Sequence, residues 1–301
     1  MKEMVDVLGF GHCCIDHLAV LDPFPEKGMK GDVAESLVIA GGPVPIALST
    51  AARFRCSAQY FGKVGDDADG DQIRRELHED GVDVSRMIID SNCKTARAYI
   101  WIDKNDGSRS IALDYRKTNW LSEKDVDLEL IEGCKLFLCD NRSAEATLKA
   151  LHYAKEAGVI TMIDAGSVRP GFREMLKLVD YTIVSQDLKN TLLKGIDARE
   201  LAEMLVRMGT GTAVVTCGAE GSVYCNGAET RHIPGFLLDA VDTTGAGDIF
   251  HGAFIYGLLE NWELTRIVRF SNAAAALSCR RLSGRLGIPK LHEVEELVKI
   301  S

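Results

Sequence analysis

The segment AVDTTGAGDIFHGAF, residues 240–254, sets two glycines and an alanine directly before a carboxylate, and an apolar run follows at once. An acid ahead of such a run predicts the start of a buried helix, with Asp248 in its first turn. The first amides of a helix lack carbonyl partners and stand at the positive end of the peptide dipoles, so they attract anionic oxygens. Gly245 and Gly247 carry no Cβ and Ala246 only a methyl, which lets a phosphate lie against the amides themselves. Amides so placed stabilise the charge that develops on a phosphoryl group in transfer. The Asp248 carboxylate beside them is placed to take the proton of an attacking hydroxyl. One turn of chain therefore predicts both an anion hole, at Gly245, Ala246 and Gly247, and a general base, Asp248.

The elements that must position this turn follow from the hydrophobic pattern. Short apolar runs alternate with amphipathic segments through most of the chain, which predicts parallel strands joined by helices. VDVLGFG, AQYFGKVG, KLFLCD, ITMIDA, YTIVS and TAVVTCG have strand character. VPIALSTAARF, ADGDQIRRELHEDGV, SAEATLKALHYAKEAG, PGFREMLKLV and DARELAEMLVRMG have helical character. In sheets of this kind ligands bind beyond the carboxyl ends of the strands. The residues there are polar: Asp16, then Asp140, Asn141 and Arg142, then Asp164, then Ser185 and Asp187, then Thr216 and Gly218. Each alone suits a helix cap, and together they predict a polar rim.

Two segments break the rhythm. DHLAVLDPF…KGDVAESLVIAGG and KTARAYIWIDKNDGSRSIALDYR read as strands with turns and no helix, the second as a hairpin about KNDG. The economical expectation is one discontinuous β lid, residues 13–40 and 93–118, over a nucleotide-binding core of residues 1–12, 41–92 and 119–301. Two unrelated peripheral hairpins are the alternative.

Bulk properties exclude other classes. With 301 residues, 46% hydrophobic and 26% charged, the chain can bury one large core or two modest ones. A net charge of −9 without a concentrated basic run argues against nucleic acid as a partner. No apolar stretch approaches the roughly 20 residues that span a bilayer, so no membrane partner is expected. The N-terminus enters a strand-like run without a signal-peptide pattern, and the nine cysteines have no metal-ligand spacing; both predict a cytoplasmic protein with reduced thiols.

Taken whole, DTTGAGD resembles the second signature of the PfkB/ribokinase family of sugar and nucleoside kinases. GFGHCCIDHLAV, AGGP…AARF, FGKVGDDADG, TCGAEGS and FSNAAAALSC stand in that family's order and approximate spacing, over nearly the whole chain. The resemblance implies a Rossmann-like three-layer α/β/α core with a mostly parallel central sheet plus a small β-sheet lid. It implies transfer of the ATP γ-phosphate to a hydroxyl of a small carbohydrate, with Mg2+ and in some members K+. By matching motif, Asp248 resembles the family's base and Gly245, Ala246 and Gly247 its anion hole. Asp16 matches the aspartate that grips substrate hydroxyls, and Gly41 and Gly42 the diglycine that admits the sugar. Thr216, Gly218 and Gly221 resemble the nucleotide-side loop, and Asn272 an asparagine beside adenine. Carbonyls about Asp242 and Thr244 match a monovalent-cation site. Lid strands pair between subunits in this family, which implies a homodimer. The dinucleotide fingerprint is not met: GFGHCC has Cys14 where a third glycine belongs, and no GxxxxGK[ST] occurs.

The chain also departs from its relatives. Ile46 stands where ribokinases place a sugar-binding asparagine four residues after the diglycine, which disfavours ribose. The magnesium-side NxxE is absent, and VSQD offers Ser185 and Asp187 instead. Likeness to ketohexokinases here, and of CRRLSGRLGIP to sulfofructose kinases, implies a ketose or an acidic sugar derivative. Arg142, with Lys30 from the lid as a second charge, is expected to pair with such an acid, against the alternative of surface ion pairs with neighbours. A nucleoside kinase of the same family is the competing expectation, with Tyr99, Trp101 and Tyr115 as a base platform. A non-catalytic nucleotide sensor is the second.

Overall fold

The computed structural model describes residues 4–105, 107–192 and 195–300. Its strands, in chain order, are β1 (Val5–Phe10), β2 (Cys14–Leu21), β3 (Val33–Gly41), β4 (Ala58–Phe61), β5 (Lys63–Gly65), β6 (Val82–Asp83), β7 (Ile88–Asp90) and β8 (Arg97–Asp103). There follow β9 (Arg109–Asp114), β10 (Cys134–Asp140), β11 (Ile160–Asp164), β12 (Tyr181–Ser185), β13 (Thr212–Thr216), β14 (Ser222–Cys225) and β15 (Thr230–Ile233).

A large sheet runs in the order β15-β14-β13-β12-β11-β10-β1-β4-β6. It is parallel from β6 to β13, and β14 and β15 add an antiparallel edge that the hydrophobic pattern does not announce. Central strands are apolar without interruption because both faces are covered. Phe137 and Cys139 of β10 enter the core on one face, with Leu151 and Leu205 of helices Ala144–Glu156 and Ala198–Met208. Leu136 and Leu138 enter the core on the other, with Leu48 and Phe254 of helices Pro43–Arg53 and Ala246–Leu259. The result is the expected three-layer α/β/α architecture.

β1 lies between β10 and β4, so the chain leaves it in one direction and returns on its other side. This reversal opens a crevice beyond the carboxyl ends of β1 and β10, the place where such sheets hold ligands. Beyond it stands a smaller sheet, β3-β2-β8-β9, in which only the β2–β8 pair is parallel. The hairpin expected about KNDG joins β8 to β9; its Asp106 lies outside the described residues.

Several boundaries differ from the sequence-based expectation for physical reasons. AQYFGKVG is not one strand: it breaks at Gly62, where a Cβ would lie 2.1 Å from the Tyr60 hydroxyl, and β5 turns away to pair with β7. PGFREMLKLV is helical only over Phe172–Leu176. The helix of DIFHGAF starts earlier, at Ala246, and packs so closely on helix Pro43–Arg53 that a Cβ at Gly252 would meet the Ala47 carbonyl at 2.4 Å. All nine cysteines are unpaired thiols. Among the described residues no helix is long and apolar enough to cross a membrane.

A buried ion cluster ties the C-terminal segment to helix Ala68–Glu79. Arg285 donates to Asp80 at 2.7 Å and to the Glu76 carboxylate at 3.1 Å and carbonyl at 2.6 Å. Its side chain is 10% exposed, against 12% for Glu76 and 4% for Asp80. Arg285→Ala strips Glu76 of its cation and leaves Asp80 with Arg53 alone, which should cost about 3 kcal/mol in urea unfolding. Arg74→Ala breaks the exposed pair with Asp71 and should cost under about 0.5 kcal/mol. Equal losses in the two variants would contradict the role given to the cluster.

Candidate active site

Gly245 caps helix Ala246–Leu259 in the left-handed conformation, φ 75°. A Cβ there would lie 2.6 Å from the Gly284 Cα, so a glycine is required here by the contact between two loops. A Cβ at Gly247, in contrast, would meet only open space. The Ala246 amide leans on the Thr243 carbonyl at 3.3 Å, whereas no backbone carbonyl among the described residues accepts from the amides of Gly247 and Asp248. The Gly245 amide likewise has no acceptor among the described residues, so the free donors at this helix end are those of Gly245, Gly247 and Asp248, with Ala246 the one committed member of the GAG triplet.

The loop before the helix is fixed by Asp242, which is 1% exposed. One carboxylate oxygen accepts from the Thr244 amide and the other from the Ser283 amide, both at 2.8 Å. With both oxygens so engaged, the loop offers a cation chiefly its carbonyls and the Thr244 hydroxyl, which is buried without a hydrogen-bond partner among the described residues.

Asp248 lines a cavity of about 290 Å³ with His12, Asp140, Arg142, Asp164 and Arg169, at the crevice beyond β1 and β10. Burial, then the neighbouring Asp164 and Asp16 carboxylates, push Asp248 well above the usual carboxylate range, against the opposing charge of Arg109. Asp16, on β2, is 7% exposed and accepts a hydrogen bond from the Cys14 thiol at 3.1 Å. Burial raises it to about 6, partly offset by Cys14 and His12. The diglycine makes room for this arrangement: a Cβ at Gly41 would sit 2.0 Å from the Asp16 carboxylate, and Gly42 adopts φ 108° under the His12 carbonyl.

Asp140 behaves oppositely. Burial works against its charge, but the His12 imidazole at 2.7 Å and the amides of His12 and Arg142, each at 2.8 Å, hold it below its ordinary value. Asp164 is raised by burial despite His251, whose Nε2 lies 3.6 Å away. His251 Nδ1 donates to the Gly247 carbonyl at 2.7 Å, so this imidazole braces the helix start.

A second cleft, about 410 Å³, lies on the other side of the helix start and is lined by Ser185, Thr216, Gly218, Gly221 and Asn272, with Ala246 and Gly247 at its inner end. The five nucleotide-side residues expected from the sequence therefore share one cleft. Asn272 has its amide committed, accepting from Ser222 at 2.6 Å and donating to the Ile233 carbonyl at 3.1 Å, so it holds the wall of the cleft. Ser185 hydrogen-bonds Asp187 and leaves a carboxylate near the cleft mouth. Among the described residues no group of three or more His, Cys, Asp or Glu side chains can hold a metal. Magnesium fits such a donor set as an ion carried by the nucleotide's phosphates and held by one or two carboxylates and water.

Not every expected residue joins the site. Lys30 is exposed on the loop between β2 and β3 and does not line the cavity; Arg169 stands there with Arg142 instead. Tyr99 stacks on His17 at 5.1 Å, and the pairing of β2 with β8 puts both, and Trp101, on the face of the small sheet opposite Asp16. Tyr115 belongs to the site, but as the ring under the Arg142 guanidinium, 4.6 Å away. Ile46 is buried and packs beneath the Gly245–Gly284 contact. Sequence reasoning missed His12, Arg169 and Arg109. His12 directly follows the GFG turn at the end of β1, where the strand-end rule would have found it, whereas Arg169 returns to the site only through the loop after β11. Arg109, from the lid hairpin, donates to the Thr243 hydroxyl at 2.6 Å.

Comparison with known proteins agrees with this geometry. Residues 4–291 match the pfkB family carbohydrate kinase. The chain is 26% identical to a ribokinase of Haemophilus influenzae, with 99% of each chain covered. It is 27% identical to a 5-dehydro-2-deoxygluconokinase of Shouchella clausii, over 99% of this chain and 96% of that protein. The crystal structure of a ribokinase from Thermotoga maritima superposes with a TM-score of 0.84 at 26% identity, covering 98% of this chain and 99% of that one. The chain belongs to the pfkB family of carbohydrate kinases and is a phosphotransferase that acts on a sugar hydroxyl.

Proposed function

We propose that the protein transfers the γ-phosphate of ATP to a hydroxyl of a small ketose or acidic sugar derivative, with Asp248 as general base. The observation that carries this assignment is the meeting of two cavities at one helix end, where Gly247 lines one and Asp248 the other. A nucleotide in the cleft of Thr216, Gly218 and Gly221 would bring its terminal phosphate to the amides of Gly247 and Asp248. A sugar in the other cavity would meet Asp16, which accepts its hydroxyl protons, and the backbone exposed at Gly41 and Gly42. The acceptor hydroxyl gives its proton to Asp248 as its oxygen bonds to phosphorus and the bond from phosphorus to ADP breaks. The free amides stabilise the charge on the transferring group. Magnesium, bound with the nucleotide, would neutralise charge on its phosphates, with Asp187 near the cleft mouth as one of its ligands, directly or through water.

Further assignments belong to the same proposal. A potassium ion at the carbonyls about Asp242 and Thr244 would satisfy the lone buried Thr244 hydroxyl. Residues 13–40 and 93–118 act as a lid that excludes water during transfer, with Arg109 reaching the phosphate side. Exposed Val38 and Trp101 on the face turned from Asp16, with exposed Ile111 and Leu113 of the edge strand on the other face, support a homodimer through the lid. Nine free thiols support a cytoplasmic location. The nucleoside alternative keeps only Tyr115 of its platform, a ring already covered by Arg142, since Tyr99 and Trp101 face away from Asp16.

Asp248→Asn should lower kcat by about 100- to 10,000-fold while ATP binding, measured by calorimetry, stays within a few-fold; wild-type turnover in this variant would refute the base assignment. The raised Asp248 fixes the sign of the pH dependence. The base works only when ionised, so kcat/KM should fall as pH drops through a limb lying above the value near 4 of a free carboxyl. Asp164→Asn removes one of the charges that raise Asp248 and should move this acid limb to lower pH; a pH–rate profile that stays in place would contradict the coupling.

A further inference from the structure

Charged side chains taken out of water are normally met by a counter-charge, because an unpaired buried ion is costly. Arg285 follows this rule, with Glu76 and Asp80 as its partners. Arg142 does not. Its guanidinium lies over the rings of Tyr115, at 4.6 Å, and Trp120, at 5.3 Å, and among the described residues its one side-chain hydrogen bond goes to the Tyr115 hydroxyl at 3.3 Å. Its Nε is buried with no partner among the described residues. Stacking fixes the plane of the group and leaves its donors without an acceptor of opposite charge.

Arg169 lines the same cavity. Burial and the neighbouring charge of Arg142 both disfavour its ionised form, so the two cations stand against each other. The charge of Asp140 offsets part of this at Arg169, but among the described residues no carboxylate forms a direct pair with either guanidinium. Asp140 is taken by His12 and by the Arg142 amide, and Asp164 faces His251 at 3.6 Å; among the described residues neither guanidinium joins these contacts. Two arginines held beside the proposed base, with no carboxylate paired directly to either among the described residues, suit an oxyanion.

We propose that Arg142 and Arg169 bind an anionic group on the acceptor, so that the substrate is a sugar carrying an oxyanion (carboxylate, sulfonate or phosphate) at the end remote from the hydroxyl phosphorylated at Asp248. This rests on the kinase assignment and narrows its substrate class. The Tyr115 hydroxyl, which accepts from Arg142, keeps its own proton to donate to the same anion. The neutral carbohydrate would leave both guanidinium groups unpaired in the closed site, and that penalty gives the selectivity.

The test uses the full chain and a matched set of ketohexoses whose C6 carries a hydroxyl, carboxylate, sulfonate or phosphate. ADP release yields kcat/KM, and calorimetric titration of each sugar in the presence of ADP yields Kd without turnover. One of the three charged sugars should exceed the neutral one by about 100-fold in both measurements, and which of them does so identifies the head group. In Arg142→Gln and in Arg169→Gln the ratio of charged to neutral kcat/KM should fall about 10- to 100-fold, carried by KM, and Arg142→Lys should recover part of it. Equal binding of the neutral and all charged sugars by the wild type, or ratios unchanged in the variants, would overturn the subsite. Binding of a charged sugar without ADP release from any sugar would instead sink the kinase assignment and leave the subsite standing.

Discussion

Amides left without carbonyl partners among the described residues, those of Gly247 and Asp248 with Gly245 ahead of them, are the feature on which the proposed site depends. A helix start left to itself closes such donors with a capping side chain or a tightened turn. Here the chain is held back from doing so. The left-handed Gly245 turns the backbone into the helix and rests on Gly284 with no room for a Cβ on either residue. Asp242 clasps the amides of Thr244 and Ser283 and so binds the two loops into one unit. Arg285, one residue beyond Gly284, anchors that unit to Glu76 and Asp80. Glu76 in turn accepts from the Ala40 amide at 2.9 Å, directly before the diglycine. A single buried acid–base cluster therefore braces both the helix start and the strand beside Asp16, on opposite sides of the reaction centre.

The same crowding sets the electrostatics. Asp16, Asp164 and Asp248 are partly or wholly removed from water; burial raises all three, with the Asp140 charge adding to it at Asp164 and the Asp164 and Asp16 charges adding to it at Asp248. A raised carboxyl is a better proton acceptor once it is ionised, which suits a base that must act on a weakly acidic hydroxyl. Asp140 follows the other course, because His12 and two amides hold its charge in place. Its task is to orient the turn that carries His12 and Arg142. In a chain of net charge −9, a site rich in carboxylates that must receive phosphates depends on local cations, and Arg109, Arg142 and Arg169 supply them from three separate loops and strands.

Much of this was legible in the sequence, for identifiable reasons. Strands covered on both faces leave uninterrupted apolar runs, and the polar residues after those runs, from Asp16 to Thr216, mark the ligand edge without any knowledge of the pairing. The DTTGAGD string carried the family because each of its positions has a separate task. What was not legible came from contacts between segments distant in sequence. That the glycine at 245 also seats Gly284 could not be read from its own neighbours. Lys30 looked like the partner of Arg142, but a loop after β11 brings in Arg169 instead. Tyr99 and Trp101 alternate correctly for a sheet, yet only the β2–β8 register decides which face they take. Gly62 broke one apparent strand into two because a tyrosine hydroxyl occupies its Cβ position.

The most direct measurement is a crystal structure of the chain with ADP, magnesium, an acceptor sugar and a planar fluorometallate that mimics the phosphoryl group in transfer. The expected result places the mimic within hydrogen-bond distance of the Gly247 and Asp248 amides, with the sugar hydroxyl between it and the Asp248 carboxylate. A mimic bound away from this helix start, or a sugar hydroxyl turned from Asp248, would contradict the central claim.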